Sequence, residues 1–434
     1  MLVWSKFNEV CDAGSKGLLI FNIGSGSLIH IDRNNAGIIP QVQANPNMDF
    51  SSYPSLYFNL RIGGFLVDES VDFDFVRSIR SIRAIANQDE SLLLLTIAPT
   101  QECNFACEYC YEQNRIPSYM SQSTEDSIVK FIKTHKAIKA IKVLWYGGEP
   151  LLCFDKIKSL TKKIALLGKS YDSQLITNGY CLTNELIKTL DEVKITHIQI
   201  TIDGLQKTHD SRRYLVNGEP TYNKIIENID NLMHSEWRGS LNVRVNIDKK
   251  NSSDFVSVYR FFEIRYPEQF GSHMRVYPGF VDNPERPDRS HYFLSEDKAR
   301  FLIKLSQDFH IAPLVAFPRV TTGGCTMTKK NAYVVGPQGE LYKCWRDLGN
   351  SDYVIGTVAD NPEQFTSYTN DIELLTNEKS CERCTFFPVC DGGCPKIKIF
   401  NRRNSISAGD TCTHFKHSIH ELLRERFKKI DVNV

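Results

Sequence analysis

Between residues 92 and 278 the chain repeats one pattern, a short apolar or β-branched run followed by a helical one. The strand-like runs are Leu92–Ala98, Lys139–Trp145, Ser173–Thr177, His197–Asp203, Ser240–Asp248 and Met274–Pro278. Several are almost wholly apolar or β-branched, as Ile198, Ile200 and Ile202 illustrate. Burial on both faces of a parallel sheet produces such runs. Ser123-Thr124-Glu125-Asp126 is a capping signal ahead of Ile128, Phe131 and Ile132. Further helical patterns cover Phe154–Leu167, Thr183–Glu192, Tyr222–Ser235 and Asp254–Tyr266. Six β-α units in series predict an α/β fold, a partial (β/α)6 TIM-like barrel. In such barrels the chemistry sits at the C-terminal ends of the strands.

Cysteine is the second constraint. The 434 residues carry 13, too many for ordinary usage, in a chain too long to be a small disulfide-stapled domain. No secretory signal follows Met1-Leu2-Val3-Trp4, and no run is long and apolar enough to span a membrane. A cytoplasmic location is therefore expected, where thiols are metal ligands or catalysts rather than disulfides. Lys plus Arg is 52 and Asp plus Glu is 51, so no field is expected to attract nucleic acid or an anionic membrane.

The cysteines form groups. Cys103, Cys107 and Cys110 follow the first strand with spacing C-x3-C-x2-C. Cys325, Cys344, Cys381, Cys384, Cys390, Cys394 and Cys412 lie in the last quarter. Cys11, Cys153 and Cys181 stand alone and are expected to be buried core thiols. Three thiolates in one loop can hold three irons of a 4Fe–4S cluster and leave the fourth iron open to a small molecule. Zinc is the competing metal, but C-x3-C-x2-C is not a common zinc spacing.

Residues 1–91 have a different texture. Gly17–Ile23 and Ser27–Asp32 are short strands joined by Gly24-Ser25-Gly26, a hairpin signal. Gly63–Val67 suggests another strand, and Phe73–Asn87 a helix with Phe75, Ile79, Ile82 and Ala86 on one face. A small α+β domain is expected over 1–91, then a barrel over 92–320, a cysteine-rich region over 321–415 and a C-terminal helix over 416–434.

The string Cys103-Asn104-Phe105-Ala106-Cys107-Glu108-Tyr109-Cys110 resembles the cluster loop of radical S-adenosylmethionine (SAM) enzymes. Gly147-Gly148-Glu149-Pro150 after the second strand is similar to their GGEP motif, which holds the cosubstrate's ammonium group. Thr177-Asn178-Gly179 follows the third strand. The fourth ends at Thr201-Ile202-Asp203, with Arg212-Arg213 beyond, and the fifth holds Asn246. The resemblance implies cosubstrate contacts at Tyr109, Gly148, Glu149, Asn178, Thr201, Asp203, Arg213 and Asn246. Physically, glycines let a ligand approach the backbone, Glu149 suits an ammonium and Arg213 suits a carboxylate.

The seven downstream cysteines resemble the SPASM extension of these enzymes, which carries two auxiliary 4Fe–4S clusters. The resemblance assigns Cys381, Cys384, Cys390 and Cys412 to one cluster, and Cys325, Cys344 and Cys394 to the other. Seven ligands are one short of eight, so the second cluster is expected to have an open iron or a non-cysteine cap. Gly339 fits a hairpin between Tyr333-Val334-Val335 and Leu341-Tyr342-Lys343. Three clusters and SAM are thus the expected cofactors.

SPASM enzymes mostly act on peptides or proteins. The expected activity is abstraction of hydrogen from a side-chain carbon of a ribosomally made precursor peptide, forming a carbon–carbon cyclophane or thioether crosslink. Residues 1–91 are compatible with a winged-helix-like element that grips the precursor's leader by adding a strand to a sheet edge. A flavodoxin or ferredoxin is the expected electron donor. One alternative is a dehydrogenase of the anaerobic sulfatase-maturase type. Those relatives place an aspartate base directly after the counterpart of Cys344, where this chain has Trp345. Asp347 is the displaced candidate for a catalytic base. The other alternative is an inactive metal- or leader-binding protein.

Overall fold

The computed structural model describes residues 1–112, 116–282, 290–311, 317–360, 379–405 and 411–431. The chain forms two compact units, each assembled from separate stretches. One comprises Met1–Asn87, Leu294–Cys325 and Glu373–Val434, and the other Gln88–Phe293 and Thr326–Ile372.

In the first unit β1 (Leu2–Trp4) pairs antiparallel with β5 (Leu66–Asp68), and β2 (Asn8–Asp12), β3 (Leu18–Asn22) and β4 (Leu28–Ile31) form an antiparallel meander in that order. The expected turn at Gly24-Ser25-Gly26 closes on Asn22, whose side-chain oxygen accepts from the Gly24 and Ser25 N–H groups. Gly26 has φ of +74°, a conformation glycine adopts without strain. Period-two alternation gives the meander two buried faces. Leu19 and Phe21 pack with Phe386, Val389, Ile419 and Leu423, so residues near the N-terminus share a core with the C-terminal helix Phe415–Asp431. Ile20 and Ile31 face the other way, against Ile38, Val42, Leu60 and Phe65.

The helix Val71–Asn87 exists, but its buried stripe is not the expected one. Val76, Ile79 and Arg83 are buried, whereas Ile82 is exposed. Arg83 takes the inward position because its guanidinium donates to the carbonyls of Thr321 at 3.0 Å, Phe387 at 3.0 Å and Pro388 at 3.1 Å. It also lies 4.7 Å from the Phe387 ring centre. Buried carbonyls need donors, and a planar fork of N–H groups supplies several at once.

In the second unit β6 (Leu92–Ile97), β7 (Ala140–Trp145), β8 (Ser170–Thr177), β9 (Ile195–Ile202), β10 (Ser240–Ile247) and β11 (Met274–Phe280) run parallel in sequence order. This is the partial TIM-like barrel sheet the alternation predicts. Helices Gln122–Thr134, Phe154–Ala165, Tyr222–Met233 and Asp254–Arg265 follow the expected patterns. Ser121 caps the first of them, accepting from the Thr124 N–H at 3.0 Å. The helix expected over Thr183–Glu192 shortens to Asn184–Ile187, capped by Thr183.

The sheet has nine strands. Its far side continues from β6 through β12 (Ala332–Val335), β13 (Glu340–Tyr342) and β14 (Gly356–Thr357). The hairpin expected around Gly339 is present, with Val334 opposite Tyr342 and Gly339 at φ of +91°. Its first strand joins the barrel sheet, Ala332 pairing parallel with Leu94. The cysteine-rich region thus contributes strands to the barrel's own unit.

Candidate functional site

The strand ends of the second unit open on a cavity of about 640 Å³. Cys103, Cys107 and Cys110 all line it, as do Tyr109, Gly148, Asn178, Thr201, Arg213 and Asn246. The segments that follow β6 to β9, with β9 and β10 themselves, therefore bring six of the eight expected contacts to the same space as the cysteine trio.

Glu149 and Asp203 are the other two, and each is fully buried away from the lining. Glu149 accepts from Thr177 Oγ1 at 2.7 Å, Asn178 N at 2.7 Å and Leu151 N at 3.1 Å. Burial pushes its carboxyl above the ordinary carboxylate range, and the Asn178 and Thr177 hydrogen bonds oppose that. Its carboxylate ties the end of β7 to the end of β8. Asn178 donates in turn to Asn104 Oδ1 at 2.7 Å, reaching the cysteine loop.

The glycines have a structural reason that a ligand alone does not supply. A Cβ on Gly147 would lie 2.4 Å from the Thr100 carbonyl oxygen, and one on Gly148 would lie 2.2 Å from that of Glu102. The Glu149 N–H donates to the same Glu102 carbonyl at 2.8 Å. The backbone leading into the cysteine loop packs directly on these residues, and side chains here would push it away.

Tyr109 is the hub of the opposite wall. Its hydroxyl donates to Asp203 Oδ1 at 2.8 Å and accepts from Arg213 Nη1 at 2.8 Å and Asn246 Nδ2 at 3.1 Å. Burial pushes the phenol well above its usual value, which keeps the proton on oxygen for Asp203. Burial also pushes the Asp203 carboxyl up, while Arg213 and Arg212 draw it back toward the ionised form. Arg212 Nε donates to Asp203 Oδ2 at 3.0 Å and its Nη1 to Asp248 at 3.1 Å. Arg213 Nε is buried, 3.9 Å from Asp203, and has no hydrogen-bond acceptor among the described residues. Behind them His209 accepts the Asp203 N–H through Nδ1 at 3.3 Å. Its Nε2 meets Thr221 Oγ1 at 3.1 Å, and that hydroxyl donates to the Arg213 carbonyl. The ring must therefore be neutral with its proton on Nε2, in keeping with a pKa lowered well below the usual value by burial and by Arg213.

Sequence reasoning missed several lining residues. Gln199 and Arg244 point in from β9 and β10, and Tyr146, Asp282, Trp345 and Arg346 also line the cavity. Alternation on the strands could have found Gln199 and Arg244, each two residues before an expected contact, Thr201 and Asn246. The Trp345 and Tyr146 rings stack at 5.6 Å and 26°. Asp347 is not brought to the cavity. It is fully buried, in a 3₁₀ turn after Cys344, while Trp345 and Arg346 line the wall.

The first unit has its own cysteine-lined cavity of about 320 Å³. Cys381, Cys384, Cys390 and Cys412 all line it, the four assigned to one auxiliary cluster, and Cys394 does not. Gly393 brings the two chain segments together. A Cβ there would lie 1.9 Å from the Thr411 carbonyl oxygen, and φ is +81°. Cys325 and Cys394 belong to this unit and Cys344 to the other. Of the remaining cysteines only Cys11 is buried. Cys153 and Cys181 are half-buried near the cysteine loop, Cys181 accepting from Asn104 at 3.8 Å. Three cysteines line one cavity and four the other, and thiolates are the donors that 4Fe–4S clusters take.

Residues 97–262 match the radical SAM superfamily. The serine-type anaerobic sulfatase-maturating enzyme of Bacteroides thetaiotaomicron is 25% identical over 343 residues, 68% of this chain and 81% of that protein. The cysteine-type enzyme of Clostridium novyi is 25% identical over 362 residues, 75% and 94% of the two chains. Among solved structures, native anSMEcpe with bound AdoMet and Cp18Cys peptide aligns with a TM-score of 0.62 at 20% identity, covering 79% of this chain and 99% of that one. Streptococcus suis SuiB bound to precursor peptide SuiA aligns with a TM-score of 0.53 at 14% identity, covering 92% and 97%. The chain carries a radical SAM domain and is homologous to the anaerobic sulfatase-maturating enzymes, and its cysteine-rich C-terminal part fits a SPASM domain. SAM and 4Fe–4S clusters are the cofactors of that class. Among the described residues no helix is long and apolar enough to cross a membrane.

Proposed function

We infer that this radical SAM maturase acts on a ribosomally made precursor peptide and joins two of its side chains by a carbon–carbon or thioether crosslink. One observation carries the choice of substrate. The meander of the first unit ends on β4, whose outer edge has no strand partner among the described residues. An extended leader segment can add there by main-chain hydrogen bonds. The fuller coverage of this chain by the precursor-bound SuiB fold, 92% against 79%, supports that reading.

Cys103, Cys107 and Cys110 hold three irons of one cluster in this reading. Arg213 takes the cosubstrate's carboxylate, and Gly148, Asn178, Thr201, Tyr109 and Asn246 fix the rest of it. Glu149 and Asp203 act from behind, Glu149 by anchoring the turn and Asp203 by orienting Tyr109 and both arginines. Bound together, the reduced cluster and SAM supply a carbon radical able to take hydrogen from an unactivated C–H bond. The protein's part is to exclude water and hold one substrate carbon in range. Cys381, Cys384, Cys390 and Cys412 hold an auxiliary cluster. A flavodoxin or ferredoxin supplies electrons.

Sulfatase maturation is the second reading, favoured by the 25% identities. Against it, Trp345 occupies the cavity position after Cys344, and Asp347 is enclosed away from it. Co-expression with a short peptide encoded beside the gene, followed by mass spectrometry, separates the two. Loss of two hydrogens with fragmentation blocked between two residues is expected. An unmodified precursor, with oxidation of a sulfatase-derived Ser or Cys peptide that Asp347→Ala abolishes, would overturn the crosslinking reading.

A further inference from the structure

The four-cysteine cavity of the first unit contains a cation that the cysteine pattern does not call for. Lys398 lies on helix Pro395–Arg403, which begins immediately after Cys394. It lines the cavity and is buried, with only 8% of its surface exposed. Its Nζ donates to Cys381 Sγ at 3.7 Å. The same Nζ stands 3.9 Å from where a Cβ on Gly392 would be, which places it beside the cysteine loop. One turn further on, Asn401 and Arg402 also line the cavity.

A buried lysine is uncommon unless something nearby compensates its charge. Four thiolates around a 4Fe–4S core give an anionic centre whose charge grows by one on reduction. Hydrogen bonds to the cysteine sulfurs and nearby net charge set the potential of such centres. An N–H donated by an ammonium is a charge-assisted bond, stronger than one from a neutral group. A fixed positive charge at Cys381 favours the more negative, reduced state.

We propose that Lys398 is a positioning and tuning residue for the cluster held by Cys381, Cys384, Cys390 and Cys412, raising its one-electron reduction potential through the bond to Cys381 Sγ. The proposal rests on the reading that these four cysteines hold a 4Fe–4S cluster. With a higher potential this cluster takes up a single electron more readily than it would with a neutral residue at 398.

The test uses the full chain, anaerobically reconstituted, with Cys103→Ala/Cys107→Ala/Cys110→Ala in every sample to silence the trio. Redox titration followed by electron paramagnetic resonance is run on this background and with Lys398→Arg, Lys398→Gln and Lys398→Met added. The Gln and Met variants are expected to keep their iron and to need at least a tenfold change in the reduced-to-oxidised balance, 59 mV for a one-electron couple, in the negative direction. Lys398→Arg is expected to stay near the parent. An unchanged potential in Gln and Met with iron retained overturns the proposal. Loss of that cluster's iron in both neutral variants also overturns it, since Lys398 then serves assembly. Failure of the underlying reading looks different, because Cys384→Ala on the same background would then leave the iron content and the resonance signals unchanged.

Discussion

The two cysteine-lined cavities differ in ligand number, size and surroundings. In the barrel unit three cysteines share about 640 Å³ with a dense polar wall of Tyr109, Arg213, Asn246 and Asn178. In the other unit four cysteines surround about 320 Å³ alongside Lys398, Arg402 and Lys416. Three thiols with room and hydrogen-bonding groups beside them suit a cluster with an open iron and a bound small molecule. Four thiols in half the space suit a closed cluster that exchanges electrons only. The polar wall offers hydrogen-bonding groups to a ligand, and the lysines and arginine are suited to balancing charge.

The largest effect that would break this contrast comes from the trio. The triple variant Cys103→Ala/Cys107→Ala/Cys110→Ala should lose about four of about twelve irons and all reductive cleavage of SAM, while the four-cysteine cavity keeps its iron. Iron analysis and chromatography of released 5′-deoxyadenosine check both. Next, Gly393→Ala forces a side chain onto the Thr411 carbonyl at a positive φ. It should cost about 3 kcal/mol or more and empty the four-cysteine cavity selectively, read by thermal unfolding and iron content. Cleavage of SAM should survive in the protein that remains folded.

Tyr109→Phe sharpens the other side. It removes the one hydroxyl that joins Asp203, Arg213 and Asn246. A loss of about 1–3 kcal/mol is expected, seen as roughly tenfold or weaker SAM binding by calorimetry, with iron content unchanged. The smallest effect concerns His209. Its folded-state pKa is depressed by burial, so the unfolded chain binds the proton more readily. The stability it contributes is complete above about pH 6.5 and is lost as pH falls toward the folded-state value. His209→Gln should flatten that part of the stability–pH curve, measured by denaturant titration between pH 5 and 8.

Much of the barrel was legible because its strands are local and their burial leaves a continuous apolar signature, as in Leu92–Ile97. The cysteine trio stood out by its spacing, whereas the cosubstrate contacts came from the resemblance of their motifs to those of radical SAM enzymes rather than from periodicity. Pairings between distant segments were not. Nothing in Ala332–Val335 indicates that it lies beside Leu92–Ile97, because periodicity fixes a strand and not its neighbour. Arg83 was hidden because a charged residue reads as solvent-facing until the carbonyls it serves, on residues 321 to 388, are known. Glu149 read as a ligand contact, whereas its three hydrogen bonds come from the protein itself.

The most direct measurement is the yield of 5′-deoxyadenosine from anaerobically reconstituted protein with dithionite and SAM. The expected result is release by the full chain with all three cysteine sets loaded, and none from the trio variant. A chain with its full iron complement that releases no 5′-deoxyadenosine would contradict the assignment of the larger cavity to radical generation.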